Sequence, residues 1–258
     1  MTSYDKLIPP EVSHDRFYRF IERLARRKTV RTILEIGSSS GEGSTAAFVS
    51  GMDRNPSHSV LHCIEMSRVR FAALKQRYAG RSDVHCYNVS TVSPESLPGE
   101  AEVAAFYSKS RSNLNNYPLD DVLEWLRQDL EYLRHAGLPM HGIQLIKEEH
   151  DIATFDLVLI DGSAFSGPAE LNEVYGAGII LLDDVNDIKN RSNYERLRSD
   201  PQYRLIAEDW KLRNGYAAFD RPRDNEGTHR MLLTFSAFRR WFAKKKRRQE
   251  NVVSQPKP

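Results

Sequence analysis

The stretch Ile33-Leu-Glu-Ile-Gly-Ser-Ser-Ser-Gly-Glu-Gly-Ser-Thr45 constrains the fold more than any other part of the chain. An apolar run that ends in an acid and then turns through Gly37, Gly41 and Gly43 predicts a strand, a glycine loop and the start of a helix. Glycine admits positive φ and lets a ligand approach where a Cβ would block it. A helix beginning near Ser44 offers free N–H groups and the positive end of its dipole, which suits a nucleotide-like ligand. The spacing is G-x-x-x-G-x-G, which is neither the dinucleotide fingerprint nor the phosphate loop. No lysine follows the last glycine, so a triphosphate is poorly served. Glu35, two residues ahead of Gly37, suits a ligand with a cationic head.

Around this corner, strands and helices alternate. Residues 11–28 predict an amphipathic helix with Phe17, Phe20, Ile21 and Leu24 on one face. Strands are expected near 32–36, 60–64 and 84–89, with helices near 43–51 and 67–78 between them. Phe155-Asp-Leu-Val-Leu-Ile160 and Gly178-Ile-Ile-Leu-Leu182 are continuous apolar runs, as in the middle of a parallel sheet covered on both faces. Helix propensity returns near 190–199. Tyr203–Glu208 and Tyr216–Phe219 then read as two strands whose short link, with Arg213-Asn-Gly215, favours an antiparallel hairpin.

Residues 90–154 interrupt the alternation. Ser90 to Gly99 reads as a loop and Ser108 to Asn116 as a polar, mobile segment. Pro118 to His135 reads as a helix, with acids in its first turn and Gly137 beyond its end. The insert is either a lid or acceptor-binding element or structural padding. The expected organisation is an N-terminal helix packed on the core (1–29), an α/β domain (30–222) carrying this insert, and a basic amphipathic helix and tail (223–258).

A chain of 258 residues can bury one good-sized core. No apolar stretch approaches bilayer-spanning length and the N-terminus lacks a signal pattern, so a cytoplasmic location is expected. Two cysteines, Cys63 and Cys86, are too few for a disulfide framework and read as buried thiols on neighbouring strands. The net charge of +2 hides an asymmetry: residues 239–258 carry +7 and residues 1–238 carry −5. Met231, Phe235, Phe238 and Phe242 fall on one helical face ahead of the basic cluster. Such a helix suits a peripheral membrane surface, nucleic acid or a partner protein, or else it docks on the body with its charges solvated.

The order of these elements resembles the class I S-adenosylmethionine-dependent methyltransferases over residues 30–220. The resemblance implies a doubly wound, mostly parallel, Rossmann-like sheet of seven strands, the last one antiparallel. Glu35-Ile-Gly-Ser-Ser-Ser-Gly-Glu-Gly43 is similar to the cofactor loop, which implies contacts from Glu35, Gly37, Gly41 and Gly43. Leu61-His-Cys-Ile-Glu65 resembles the motif whose acid, here Glu65, holds the ribose hydroxyls. Asp83–Val89 resembles the strand whose end, here Asn88, flanks the adenine. Phe155–Gly162 resembles the fourth motif, with Asp161 beside the cofactor.

Asp161, with Asp183 and Asp184 after the next strand, is similar to the metal ligands of the catechol, macrocin and cephalosporin-cluster O-methyltransferases. That likeness implies Mg²⁺ held by Asp161, Asp183 and Asp184, and a small-molecule or sugar acceptor methylated on oxygen. Asp161 and Asp183 are then the candidate catalytic acids. The chain departs from those relatives in following Asp161 with Gly162-Ser-Ala-Phe165. Among eight histidines, His150 is the candidate base, at the expected cleft rim, and Lys147 is another candidate. Each of these residues has a structural reading too, as a turn former, helix cap or buried polar group. Two other functions stay open: a cofactor-binding scaffold without methyl transfer, and an RNA or protein methyltransferase that uses the basic tail.

Overall fold

The computed structural model describes residues 6–222. The expected C-terminal basic helix and tail (223–258) lie outside the described residues.

Among the described residues, seven strands form one sheet in the order β3-β2-β1-β4-β5-β7-β6. They are β1 (Thr32–Ile36), β2 (Val60–Ile64), β3 (Val84–Tyr87), β4 (Leu157–Ile160), β5 (Ile179–Asp183), β6 (Arg204–Asp209) and β7 (Tyr216–Asp220). The first five run parallel, and β7 is antiparallel to both neighbours. The helices are α1 (Arg16–Ala25), α2 (Ser44–Met52), α3 (Arg68–Arg77), α4 (Glu100–Lys109), α5 (Leu119–His135), α6 (Gly142–Glu149), α7 (Gly167–Val174) and α8 (Arg191–Ser199). The predicted doubly wound sheet is thus present, and the hairpin near its end forms as the short link requires.

Side chains along the central strands alternate between two cores, the period-2 rule of a pleated sheet. Ile33, Leu61, Leu159 and Leu181 face one core with Phe17, Leu24, Phe48 and Leu74 from α1, α2 and α3. Leu34, Val158, Ile180 and Leu182 face the other with Ile146, Leu171 and Leu197 from α6, α7 and α8. Because both faces are covered, β4 and β5 are buried throughout, which explains their unbroken apolar sequence.

The N-terminal helix is shorter than its apolar pattern implied. Asp15 caps it by accepting from the Tyr18 N–H at 2.8 Å. It packs closely on α2 at Gly51, where a Cβ would meet the Glu22 carbonyl oxygen at 2.3 Å. Within the insert, α4, α5 and residues 112–117 close a third core of Val103, Leu114, Val122 and Leu126 around Phe165, which comes from the β4–α7 loop. The polar segment that ends at Asn116 holds a 3₁₀ turn, Asn113–Asn116, capped by Ser112. Cys63 and Cys86 pair in register on β2 and β3; Cys63 is buried and Cys86 only partly so. No described helix is long and apolar enough to cross a membrane.

Candidate functional site

A cavity of about 510 Å³ opens at the carboxyl ends of β1, β2, β3, β4 and β5, where sheets of this winding bind ligands. Its floor is the loop from Ile36 to Ser40, with Gly43 and Ser44 at the start of α2. This loop is held from below. The N–H groups of Gly37 and Ser38 both donate to the Ile64 carbonyl at 3.0 Å, and Ser39 N–H donates to Glu65 Oε2 at 2.8 Å. Gly37 has φ +88°, and a Cβ there would lie 2.0 Å from the Asp161 carbonyl oxygen. The loop therefore passes over β4 only because this residue has no side chain.

Glu65 lines the cavity at the end of β2 and is only 6% exposed. Its Oε1 accepts from Ser67 N–H at 2.7 Å. Burial raises its carboxyl, while the hydrogen bonds from Ser67 and Ser39 and the charge of Arg70 oppose that. A carboxylate has about four acceptor positions, so these two bonds leave capacity for a diol.

The third wall carries the acids expected to hold a metal, and here the arrangement differs. Lys189 Nζ lies 2.9 Å from Asp161 Oδ1 and 2.6 Å from Asp184 Oδ2. All three residues line the cavity. Burial works against the lysine's charge, but Asp161 and Asp184 outweigh it and hold the ammonium well above the usual range. Burial also raises Asp184, and Lys189 with Arg213 more than reverses this, so it stays ionised. Asp161 carries the imbalance: burial raises it strongly against Lys189, and Asp183 and Asp184 push it further up. Asp183 is 2% exposed and takes two bonds from Arg213 Nη2, at 2.9 and 3.0 Å. Arg213 also pairs with Asp15 at the head of α1. Burial and Asp184 raise Asp183 to about 6 despite Arg213.

The far wall belongs to the insert and the β4–α7 loop. Trp125, Gln128, Asp129 and Leu133 of α5 face the cavity, as do Thr91, Ser163 and Glu170. Glu170 is 1% exposed; its Oε1 accepts from the Thr91 and Ser166 hydroxyls, each at 2.8 Å. Burial raises its carboxyl above the ordinary range, and the Ser166 and Thr91 hydroxyls oppose this. Ser163 donates to Asp129 at 2.5 Å. Ile8 to Val12 also line the cavity, and a Cβ placed on Gly43 would lie 3.2 Å from Pro10 Cβ.

The cavity therefore brings together Gly37, Gly43, Glu65, Asp161 and Asp184 among the expected residues, and does not include the rest. Gly41 is needed for packing: a Cβ would meet Leu74 and Tyr78 of the α3 segment at 2.7 Å, and Tyr78 donates to its carbonyl at 2.6 Å. Glu35 is fully buried beneath the loop, where Thr45 Oγ1 donates to its Oε2 at 2.6 Å and fastens the start of α2. Burial raises its carboxyl, against hydrogen bonds from Ser44, Thr45, Ser38 and Cys63. Asn88 donates to the Glu65 and Met66 carbonyls at 2.8 and 3.0 Å, so it holds the chain after β2. Asp183 is committed to Arg213 outside the cavity. His150 does not line the cavity: its Nε2 lies 2.7 Å from the Tyr87 hydroxyl, with its ring beside those of His62 and His85. Lys147 donates to the Glu173 carbonyl at 2.6 Å.

No protein-family model matches the sequence, and no curated protein matches it. Solved structures do. An O-methyltransferase from Bacillus cereus, in complex with S-adenosylhomocysteine, is 17% identical and covers 83% of this chain and 84% of its own, with TM-score 0.51. A candidate O-methyltransferase from Klebsiella pneumoniae is 15% identical, with 84% of each chain covered and TM-score 0.52. Together with the strand order and the antiparallel β7, these matches settle the architecture. The fold is that of the class I methyltransferases.

In this methyltransferase fold the residues present suit one expected cofactor and not the other. A cradle that admits no Cβ at Gly37, a buried acid at the end of β2 and a cavity of this size fit S-adenosylmethionine. The acids do not fit Mg²⁺. The point between Asp161 and Asp184 is filled by an ammonium, and Asp183 is neutralised by a guanidinium. Among the described residues, no group of three His, Cys, Asp or Glu side chains is placed to hold a metal ion. Sequence reasoning missed Lys189, Arg213 and Glu170. No spacing in the sequence marked the first two, because they meet their acids only in the folded chain.

Proposed function

We propose that the protein is an S-adenosylmethionine-dependent methyltransferase that methylates oxygen on a small molecule or sugar. One observation carries this reading: in a methyltransferase fold, the Gly37 loop, Glu65 and Asp161 converge on one cavity at the carboxyl ends of β1, β2 and β4. S-adenosylmethionine supplies an electrophilic methyl group on a sulfonium when bound. Glu65 would hold the ribose hydroxyls with its remaining acceptor positions. The backbone of residues 37–40 would seat the amino acid end. Trp125, Thr91, Glu170 and the Asp129–Ser163 pair would form the acceptor side, an aromatic face beside several fixed polar groups. Trp125, Gln128 and Asp129 come from the insert, so the reading of residues 90–154 as an acceptor-binding element is the one this supports.

The test is calorimetric titration with S-adenosylhomocysteine, followed by acceptor screening for methylated product. Micromolar binding plus product on any hydroxyl-bearing acceptor supports the proposal. Binding without product across hydroxyl, RNA and protein acceptors would favour the scaffold reading instead.

A further inference from the structure

Lys189 is fixed where it stands. Its side chain is 12% exposed, yet it lines the cavity between Asp161 and Asp184. The backbone that delivers it is clamped on two sides. Asn190, fully buried, donates to the Ile160 and Asp183 carbonyls at 3.0 and 2.6 Å and so ties the ends of β4 and β5 together. Gly167 lies against the Lys189 carbonyl so tightly that a Cβ would sit 2.0 Å from its oxygen. Asn193 donates to the Gly167 carbonyl at 2.8 Å and locks that contact. A lysine that merely strays into a cleft has no such support.

We propose that the Lys189 ammonium is a built-in cation that takes the place of a divalent ion between Asp161 and Asp184 and binds one acidic oxygen of the acceptor. An ammonium has three N–H donors. Asp161 and Asp184 accept two of them, and the cavity is where the third can meet a ligand. The ligand chemistry follows from what a single charge can do. A divalent ion with open positions can hold two neighbouring oxygens at once. One N–H of a monovalent cation holds one oxygen, and holds it best when that oxygen is negative. The acceptor class is therefore a carboxylate or an easily ionised hydroxyl, with no need for a chelating pair. The acceptor half of this proposal rests on the methyltransferase reading, whereas the cation half does not.

The test is Mn²⁺ binding to the full chain, read from the loss of the free-ion electron paramagnetic resonance signal. Wild type and Lys189→Arg are expected to bind no Mn²⁺ that Asp161→Asn abolishes. Lys189→Ala should bind one Mn²⁺ per chain at least tenfold more tightly than wild type, and adding Asp161→Asn should remove that gain. One Mn²⁺ per wild-type chain, lost in Asp161→Asn, would overturn the proposal, because the lysine would then yield to the metal. So would a Lys189→Ala variant that folds and binds Mn²⁺ no better than wild type. Lys189→Met, which keeps the bulk, is measured in parallel, and the wild-type arm decides alone if neither variant folds. For the acceptor half, Lys189→Met should raise the KM of an acidic acceptor at least tenfold and leave S-adenosylhomocysteine affinity within twofold. An unchanged KM would refute it. Failure of wild type to bind S-adenosylhomocysteine would sink the methyltransferase reading and leave the Mn²⁺ result intact.

Discussion

Gly37→Ala tests the junction on which the cavity is built. Gly37 has φ +88°, and an alanine held in the left-handed region is destabilised by about 1–2 kcal/mol. Its new Cβ would lie 2.0 Å from the Asp161 carbonyl oxygen and 2.6 Å from the carbonyl carbon. Neither atom can turn aside as a side chain does, because Asp161 N–H is bonded to the Ile36 carbonyl at 3.1 Å. Overpacking of this kind adds about 1–3 kcal/mol. The sum, about 2–5 kcal/mol, is a large part of the stability of an ordinary domain. For a chain of this size it lowers Tm by about 10 °C. Thermal and urea unfolding of Gly37→Ala should show this loss. Gly80→Ala, with no neighbour within 4 Å of the new Cβ, should stay within about 0.5 kcal/mol of wild type. A Gly37→Ala protein that melts within about 2 °C of wild type would refute the argument that the loop passes over β4 only by lacking a side chain.

Three further outcomes are expected. Glu65→Ala should weaken S-adenosylhomocysteine binding about a hundredfold in calorimetry, since two hydrogen bonds to a charged acceptor are lost at about 1.5–3 kcal/mol each and part is regained from water. Arg213→Ala leaves the Asp183 carboxylate buried without its guanidinium and should lose about 3–5 kcal/mol in urea unfolding, with part recovered by adding Asp183→Asn. His62, 1% exposed, is lowered from 6.5 to about 3 by burial, and then by His150 and His85. The unfolded chain therefore takes up this proton before the folded one does, and the stability present above pH 6.5 is lost as pH falls toward 3. Between pH 7.5 and 5 wild type should lose about 2 kcal/mol more than His62→Gln, and equal pH profiles would contradict the assignment.

The sequence made the central sheet legible because its signals are local. β1 and its glycine loop, the unbroken apolar runs of β4 and β5, and the β6–β7 hairpin each follow from composition over a few residues. The helices that escaped notice give weak local signals. α7 and α6 have eight residues each, too few to establish a period, and α4 buries only Val103. The site shows the same division. Glu65 and Asp161 close strands, so their place follows once the strands are known. Gly41, Glu35 and Asn88 also support α3, α2 and the chain after β2 respectively, contacts that the residue pattern does not record. Lys189 and Arg213 could not be read at all. A charge between two acids is created by the meeting of β4, β5 and the turns that follow them, and no spacing along the chain records it.

The central claim is that the cavity binds S-adenosylmethionine without a divalent metal. Calorimetric titration of the full chain with S-adenosylhomocysteine, once in Mg²⁺ and once in EDTA, tests it most directly. The account predicts one micromolar site per chain with the same affinity in both. No binding in either condition, or binding that appears only with Mg²⁺, would contradict it.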